Sequence, residues 1–145
     1  MNHTQAPSAE QVRAAAYARH RHGTPPPDVT TIRTRCGRTI TMDRSRFERV
    51  KAAVEKLTDK PFPPPYFNDD GHGRRYPCIN LDVPGGRPGG SNVYLHRLLF
   101  AEEAQRATMR FASKDRLNLT EGNFLITEGC GGRREARLLV AAEAF

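Results

Sequence analysis

A chain of 145 residues is one ordinary domain, long enough to bury a single core and too short for two independent ones. With 23 Lys and Arg against 16 Asp and Glu, the net charge is +7, which favours an anionic partner, nucleic acid first. No stretch approaches the roughly 20 apolar residues of a membrane span, and the start MNHTQAPSAEQ has neither a basic region nor an apolar signal core, so the expectation is a cytoplasmic protein with no membrane partner.

Ser8 and Gln11 stand at capping-box spacing ahead of an alanine run, which predicts a helix over residues 8–22. Its basic end, Arg19, His20, Arg21 and His22, suits a helix C-terminus electrostatically and would equally serve as an arm touching phosphates. TPPPD at 24–28 stops the helix, so residues 1–28 read as an N-terminal helix and a proline-rich linker. Residues 29–41 alternate apolar or β-branched with basic side chains around Gly37, the pattern of a short hairpin with Arg33, Arg35 and Arg38 on its outward face.

Asp43 or Ser45 next caps a helix in which Phe47, Val50, Val54 and Leu57 form one apolar stripe facing a core. PFPPPYF at 61–67 reads as irregular and NDDGHG as a turn. Asp69, Asp70 and His72 in that turn have the look of a metal cluster, but turns favour Asp, Asn and Gly for backbone reasons alone, and no metal is assigned to them. Arg75–Val83 is a strand, which Pro77 places at an edge or puts near its own beginning. PGGRPGG turns the chain into a returning strand, Ser91–Leu95. This turn lacks the Lys-Ser or Lys-Thr and the helix N-terminus of a phosphate cradle. A helical pattern runs from His96 through LLFAEEAQRA. A strand follows at ATMRFA, then a loop over SKDRLNLTEGNFLI closing into a second short strand, and a terminal helix over REARLLVAAEAF within 129–145. The fold class is α+β, small antiparallel hairpins flanked by helices.

Cys36, Cys78 and Cys130 stand singly, an odd number without a close pair, which argues against a disulfide framework or a zinc site and for reduced, structural thiols. Arginine far outnumbers lysine. A guanidinium forks onto phosphate or guanine where an ammonium acts as a point charge; a GC-rich genome also encodes arginine freely, and both explanations fit.

The order of these pieces resembles that of phage-type HNH homing endonucleases. In that family a glycine-containing strand pair and an acid-capped helix precede a hairpin ending in a Leu-His-Arg-Leu run. CGRTITMDRSRFERV is similar to the first block, RYPCINLDV to the second and YLHRLLF to the third, and the likeness extends over residues 29–128. It implies a catalytic ββα element over MRFASKDRLNLTEGNFLI, with Asn123 and Phe124 in place of the family's asparagine pair. Twelve residues before Asn123, where the family carries its catalytic histidine, stands Phe111. Arg110 replaces a metal-holding aspartate, and EGCGGRR offers no ligand on the following helix. Phosphodiester hydrolysis on this fold needs a base and a hard cation, and Phe111 supplies neither. The resemblance therefore implies a degenerate, phage or mobile-element protein without catalytic residues, metal or cofactor. It further implies structural roles for two survivors: His96, whose imidazole would bond neighbouring backbone, and Asn123, whose amide would pin the loop before the second strand.

What remains is basic. Arg74, Arg75, Arg87, Arg97, Arg110, Lys114 and Arg116 fall on the hairpin and the degenerate element, the part that faces the duplex in the resembled family. Double-stranded DNA is the expected partner. The alternatives are an acidic protein surface or a nucleoprotein complex, as for a phage inhibitor of a nucleic-acid-guided defence complex, and third a nuclease with a centre rearranged around Asp69, Asp70 and His72.

Overall fold

The computed structural model describes residues 8–11, 28–69 and 71–143. The basic segment Arg19–His22 and Asp70 lie outside these residues. At the N-terminus, Ser8 donates its N–H to Gln11 Oε1 at 2.7 Å, and Gln11 donates its own to Ser8 Oγ at 3.1 Å, the reciprocal pair of a capping box.

The chain is α+β. Strands β1 (Val29–Arg33) and β2 (Thr39–Asp43) pair antiparallel as expected, around a turn in which Gly37 takes a φ of +86°. Helix α1 (Arg44–Thr58) follows at once and buries Phe47, Val50, Ala53 and Val54, with Leu57 packed against the same core. Asp43 is its N-cap, but the side chain does not cap it. Its Oδ2 accepts the Glu121 N–H at 3.0 Å, so the carboxylate joins the helix start to a segment far along the chain.

Tyr66–Asp69 forms strand β3, where the sequence reading had placed irregular chain and a turn. The prolines end at residue 65, and the four residues after them find a partner in β4 (Arg75–Leu81). Strand β5 (Ser91–Tyr94) lies on the far side, giving the order β3-β4-β5. Strand β4 is thus central, so of the two placements that Pro77 allows the edge is excluded and the one near the strand's beginning holds. Pro77 is tolerated because β5 pairs only from Cys78 onward, leaving a strand neighbour on one side of Pro77 alone.

The helical pattern after the second sheet yields only α2 (Leu95–Leu99). From Phe100 to Arg106 the chain runs in turns, with Phe100, Ala101 and Ala104 buried and Arg106 at φ +57°. Burial of these three explains the helix-like spacing without a helix. Strand β6 (Ala107–Phe111) pairs antiparallel with β8 (Phe124–Glu128), and between them lie the two-residue β7 (Asn118–Leu119) and a 3-10 turn at Glu121–Asn123. No local pattern marks β7, which pairs in parallel with β2. Helix α3 (Arg133–Glu143) packs on α1 and α2 and sends Leu139 and Ala142 into the core, beside Ile40, Met42, Ile79, Leu98 and Leu119.

Gly132 leads into α3 at φ +82°, and a Cβ there would run into the Ala104 carbonyl oxygen. A Gly132→Ala substitution combines left-handed backbone with a backbone clash, and is expected to cost about 2–3 kcal/mol. Urea unfolding checks it; a loss below about 0.5 kcal/mol would show that the turn yields freely.

Candidate functional site

One cleft of about 930 Å³ opens between the second sheet, α2 and the β6–β8 hairpin. Its five cations come from four places in the chain: Arg74 ahead of β4, Arg97 on α2, Arg110 on β6, and Lys114 and Arg116 on the loop after β6. Rings of Tyr76, Tyr94, His96 and Phe111 form the rest of the wall with Thr108 and Met109. No carboxylate of the described residues lines it. Along β6 the four residues from Thr108 to Phe111 all border the cleft, with Met109 buried, Thr108 and Phe111 half-buried and Arg110 exposed.

Four further aromatic rings surround His96: Phe111 at 5.0 Å between centroids, Tyr94 at 5.5 Å, Phe124 at 5.6 Å and Tyr76 at 5.8 Å. Only 6 % of His96 is exposed, and its Nδ1 is buried with no hydrogen-bond partner. Nδ1 therefore makes no bond to neighbouring backbone, and the surrounding rings stack against the imidazole. Burial, reinforced by Arg97 and Arg116, lowers the imidazole to about 3. It is neutral at physiological pH and far too weak a base to activate water there.

Between pH 6.5 and about 3 the unfolded chain binds a proton at this histidine that the folded chain refuses. Above that window His96 adds no pH dependence; within it, each unit of acidification costs the fold about 1.4 kcal/mol. Replacing His96 by Phe removes both the unpartnered nitrogen and this penalty. The variant is expected to match or exceed the wild type at pH 7 and to gain a further ~2 kcal/mol on it by pH 5, as read from urea midpoints at the two pH values. A gap that fails to widen would place a proton on His96 in the fold.

Ion pairs divide the cations into two populations. On the α1 side Arg46 reaches Glu103 at 2.5 Å and Asp43 at 3.5 Å, and Arg49 binds Glu143 at 2.6 Å and Glu102 at 2.8 Å. Arg44, Lys51 and Lys60 are paired with Asp28, Glu55 and Asp82. In the cleft, by contrast, Arg97, Arg110, Lys114 and Arg116 form no ion pair with any described residue. Arg116 is held instead by the Tyr76 and Phe111 rings, at 5.1 and 4.7 Å from their centroids, and by donating Nη1–H to the Ser113 carbonyl at 3.2 Å. Arg97 donates to the Ala107 carbonyl at 3.2 Å. No family model, curated protein or solved structure matches this chain.

The remaining cations singled out in the sequence lie elsewhere. Arg33 is on β1, while Arg35 and Arg38 sit over the Tyr66 and Phe67 rings at 4.8 and 5.1 Å, tying the β1–β2 turn to β3. Arg75 stands opposite Asp69 in the β3–β4 register, and Arg87 shares a second hollow with Asn80, Asn92 and Arg134. Sequence reasoning missed Tyr76 and Tyr94 as cleft residues. The available signal was alternation: Tyr76 lies two residues from Arg74, on the same side of the strand that leads from it.

Asn123 is fully buried at the base of the cleft's loop. Its Nδ2 donates to the Asn118 carbonyl at 2.7 Å and to the Asp115 carbonyl at 3.0 Å, while Oδ1 accepts from Ser113 Oγ at 2.8 Å. These bonds tie together residues 113–123, the loop that carries Lys114 and Arg116. Asp69 Oδ1 accepts the N–H groups of Gly71 and Gly73 at 2.7 and 3.2 Å, the backbone service expected of a turn. Among the described residues, no three His, Cys, Asp or Glu gather to hold a metal. The three thiols are free, with Cys78 buried and Cys36 and Cys130 exposed, so a packing role fits Cys78 alone. No described helix is long and apolar enough to cross a membrane.

Proposed function

We propose that this chain is a non-catalytic DNA-binding protein, a degenerate relative of the HNH endonucleases that grips the phosphate backbone of double-stranded DNA through its cationic cleft. The observation that carries this reading is the segregation of charge: carboxylates neutralise the arginines of α1, while among the described residues no acid lines the cleft and Arg97, Arg110, Lys114 and Arg116 form no ion pair. Like charges brought together without counter-charges repel, and an anionic ligand offsets that cost. Phe111 at the end of β6 and a histidine held neutral beneath it support a binding role over hydrolysis.

Binding of a random-sequence duplex across a salt series, with magnesium present, tests the proposal. Affinity is expected to fall steeply with salt as phosphate counterions are released and taken up again, with the DNA left intact. Absence of binding at physiological salt sinks it. Nicking that His72→Ala abolishes would instead revive the rearranged centre. A second reading, in which the same cations meet an acidic protein surface or a nucleoprotein complex, has in its favour the exposed Leu125 and Ile126 on β8, apolar groups that a phosphate backbone would leave unused.

A further inference from the structure

We infer that the cleft holds an unpaired nucleotide of the DNA, its base against the ring wall and its phosphates on the rim cations. The inference rests on the DNA-binding reading above and narrows it to DNA in which a base is free of its partner.

Shape is the first argument. The phosphates of a regular duplex lie on a convex cylinder, which can touch a rim but cannot fill a recess. A space of about 930 Å³ falls in the size range that encloses a small organic ligand. Composition is the second. A surface made only to neutralise backbone needs cations and polar groups, yet this cleft also presents the partly exposed rings of Tyr76, Tyr94 and Phe111. Aromatic rings interleaved with cations are the means by which unpaired bases are held, because every base has a face to stack while its backbone needs counter-charge. Arg116 provides the link between the two: its guanidinium lies over Tyr76 and Phe111 and adds a further planar cation to the wall.

Third, the rings are fixed before any ligand arrives. Tyr76 and Phe111 are stacked at 5.6 Å and 23°, Tyr94 on His96 at 5.5 Å and 25°, and Phe111 packs on Phe124 at 4.6 Å. Side chains held in this way lose little freedom on binding, which favours an ordered stack over adventitious contact.

The test uses the full chain and two DNA probes of equal length that carry the fluorescent base 2-aminopurine: a matched duplex, and the same duplex with the 2-aminopurine in a single-nucleotide bulge. The bulged probe is expected to bind about tenfold tighter at the same salt, on the order of what one stacked base contributes, and its fluorescence to fall on binding. The tenfold advantage should shrink to less than twofold in Tyr76→Leu and survive in Tyr76→Phe, which keeps the ring. Equal affinity for the two probes overturns the inference and leaves DNA binding standing; so does a bulge whose fluorescence does not respond. These two wild-type measurements decide the matter even if Tyr76→Leu fails to fold. Failure to bind either probe overturns the DNA-binding reading itself, and this inference with it.

Discussion

Replacing Arg110 and Lys114 together by glutamine is expected to weaken duplex binding about 10- to 100-fold near 0.1 M salt, and to flatten the dependence of log affinity on log salt by about 1.8. Both figures follow from two lost phosphate contacts at about 0.9 per phosphate. Both side chains line the cleft without an ion partner among the described residues, so their removal disturbs no internal pair. The informative control is Arg46→Gln with Arg49→Gln, which removes the same formal charge from a region where carboxylates already neutralise it. That control should bind within about twofold of the wild type. If the two double variants weaken binding equally, net charge alone governs affinity and the cleft has no special standing.

The largest stability effect is expected at Asn123. An alanine there, in a position with no exposure, takes one donor from each of the Asp115 and Asn118 carbonyls and the acceptor from the Ser113 hydroxyl, leaving the Asp115 carbonyl a 3.4 Å bond from the Asn118 N–H and Ser113 Oγ the Asp115 N–H. At about 1–3 kcal/mol for each polar group left buried and unsatisfied, and with some of them regaining water as the loop loosens, Asn123→Ala should cost about 3 kcal/mol. Urea unfolding measures this directly. Because the same bonds hold the loop that presents Lys114 and Arg116, DNA affinity should fall too, under conditions where the variant is still folded. A cost below about 1 kcal/mol would mean that the loop is shaped by its backbone alone.

Local pattern made much of this fold readable. The stripe of Phe47, Val50 and Val54 found its helix, and the alternation around Gly37 found its hairpin. Where the reading failed, a distant partner outweighed the local signal. Tyr66–Asp69 is a strand because β4 lies beside it, although four prolines precede it; and Phe100 to Ala104 has helical spacing because it is buried on several sides, not because it is helical. The two residues of β7 carry no pattern at all. For the candidate site, residue type pointed to the cations but not to their grouping, which arises where three elements meet. Five of the ten cationic residues proposed from the sequence share the cleft; of the tyrosines that complete it, alternation from Arg74 marks Tyr76, while Tyr94 joins it only through the pairing of β4 with β5. Asp43 makes the same point in reverse, its acid expected at a helix start and found bonded to Glu121.

The parallel pairing of β2 with β7 has a consequence for how this chain reaches its native state. Thr41 donates its N–H to the Leu117 carbonyl at 2.8 Å, and Met42 lies opposite Leu119, so the first sheet cannot be completed until residues 117–119 have been made. On a ribosome that releases the chain from its N-terminus, the early hairpin emerges with Ile40 and Met42 uncovered and an edge still open, and waits for a strand of two residues made more than seventy residues later. Closing so long a loop for so few contacts is slow. The interval between emergence and closure is therefore when this molecule is most exposed to aggregation and to chaperones, and a ribosome stalled before residue 117 would hold a chain whose first-made sheet has no way to finish.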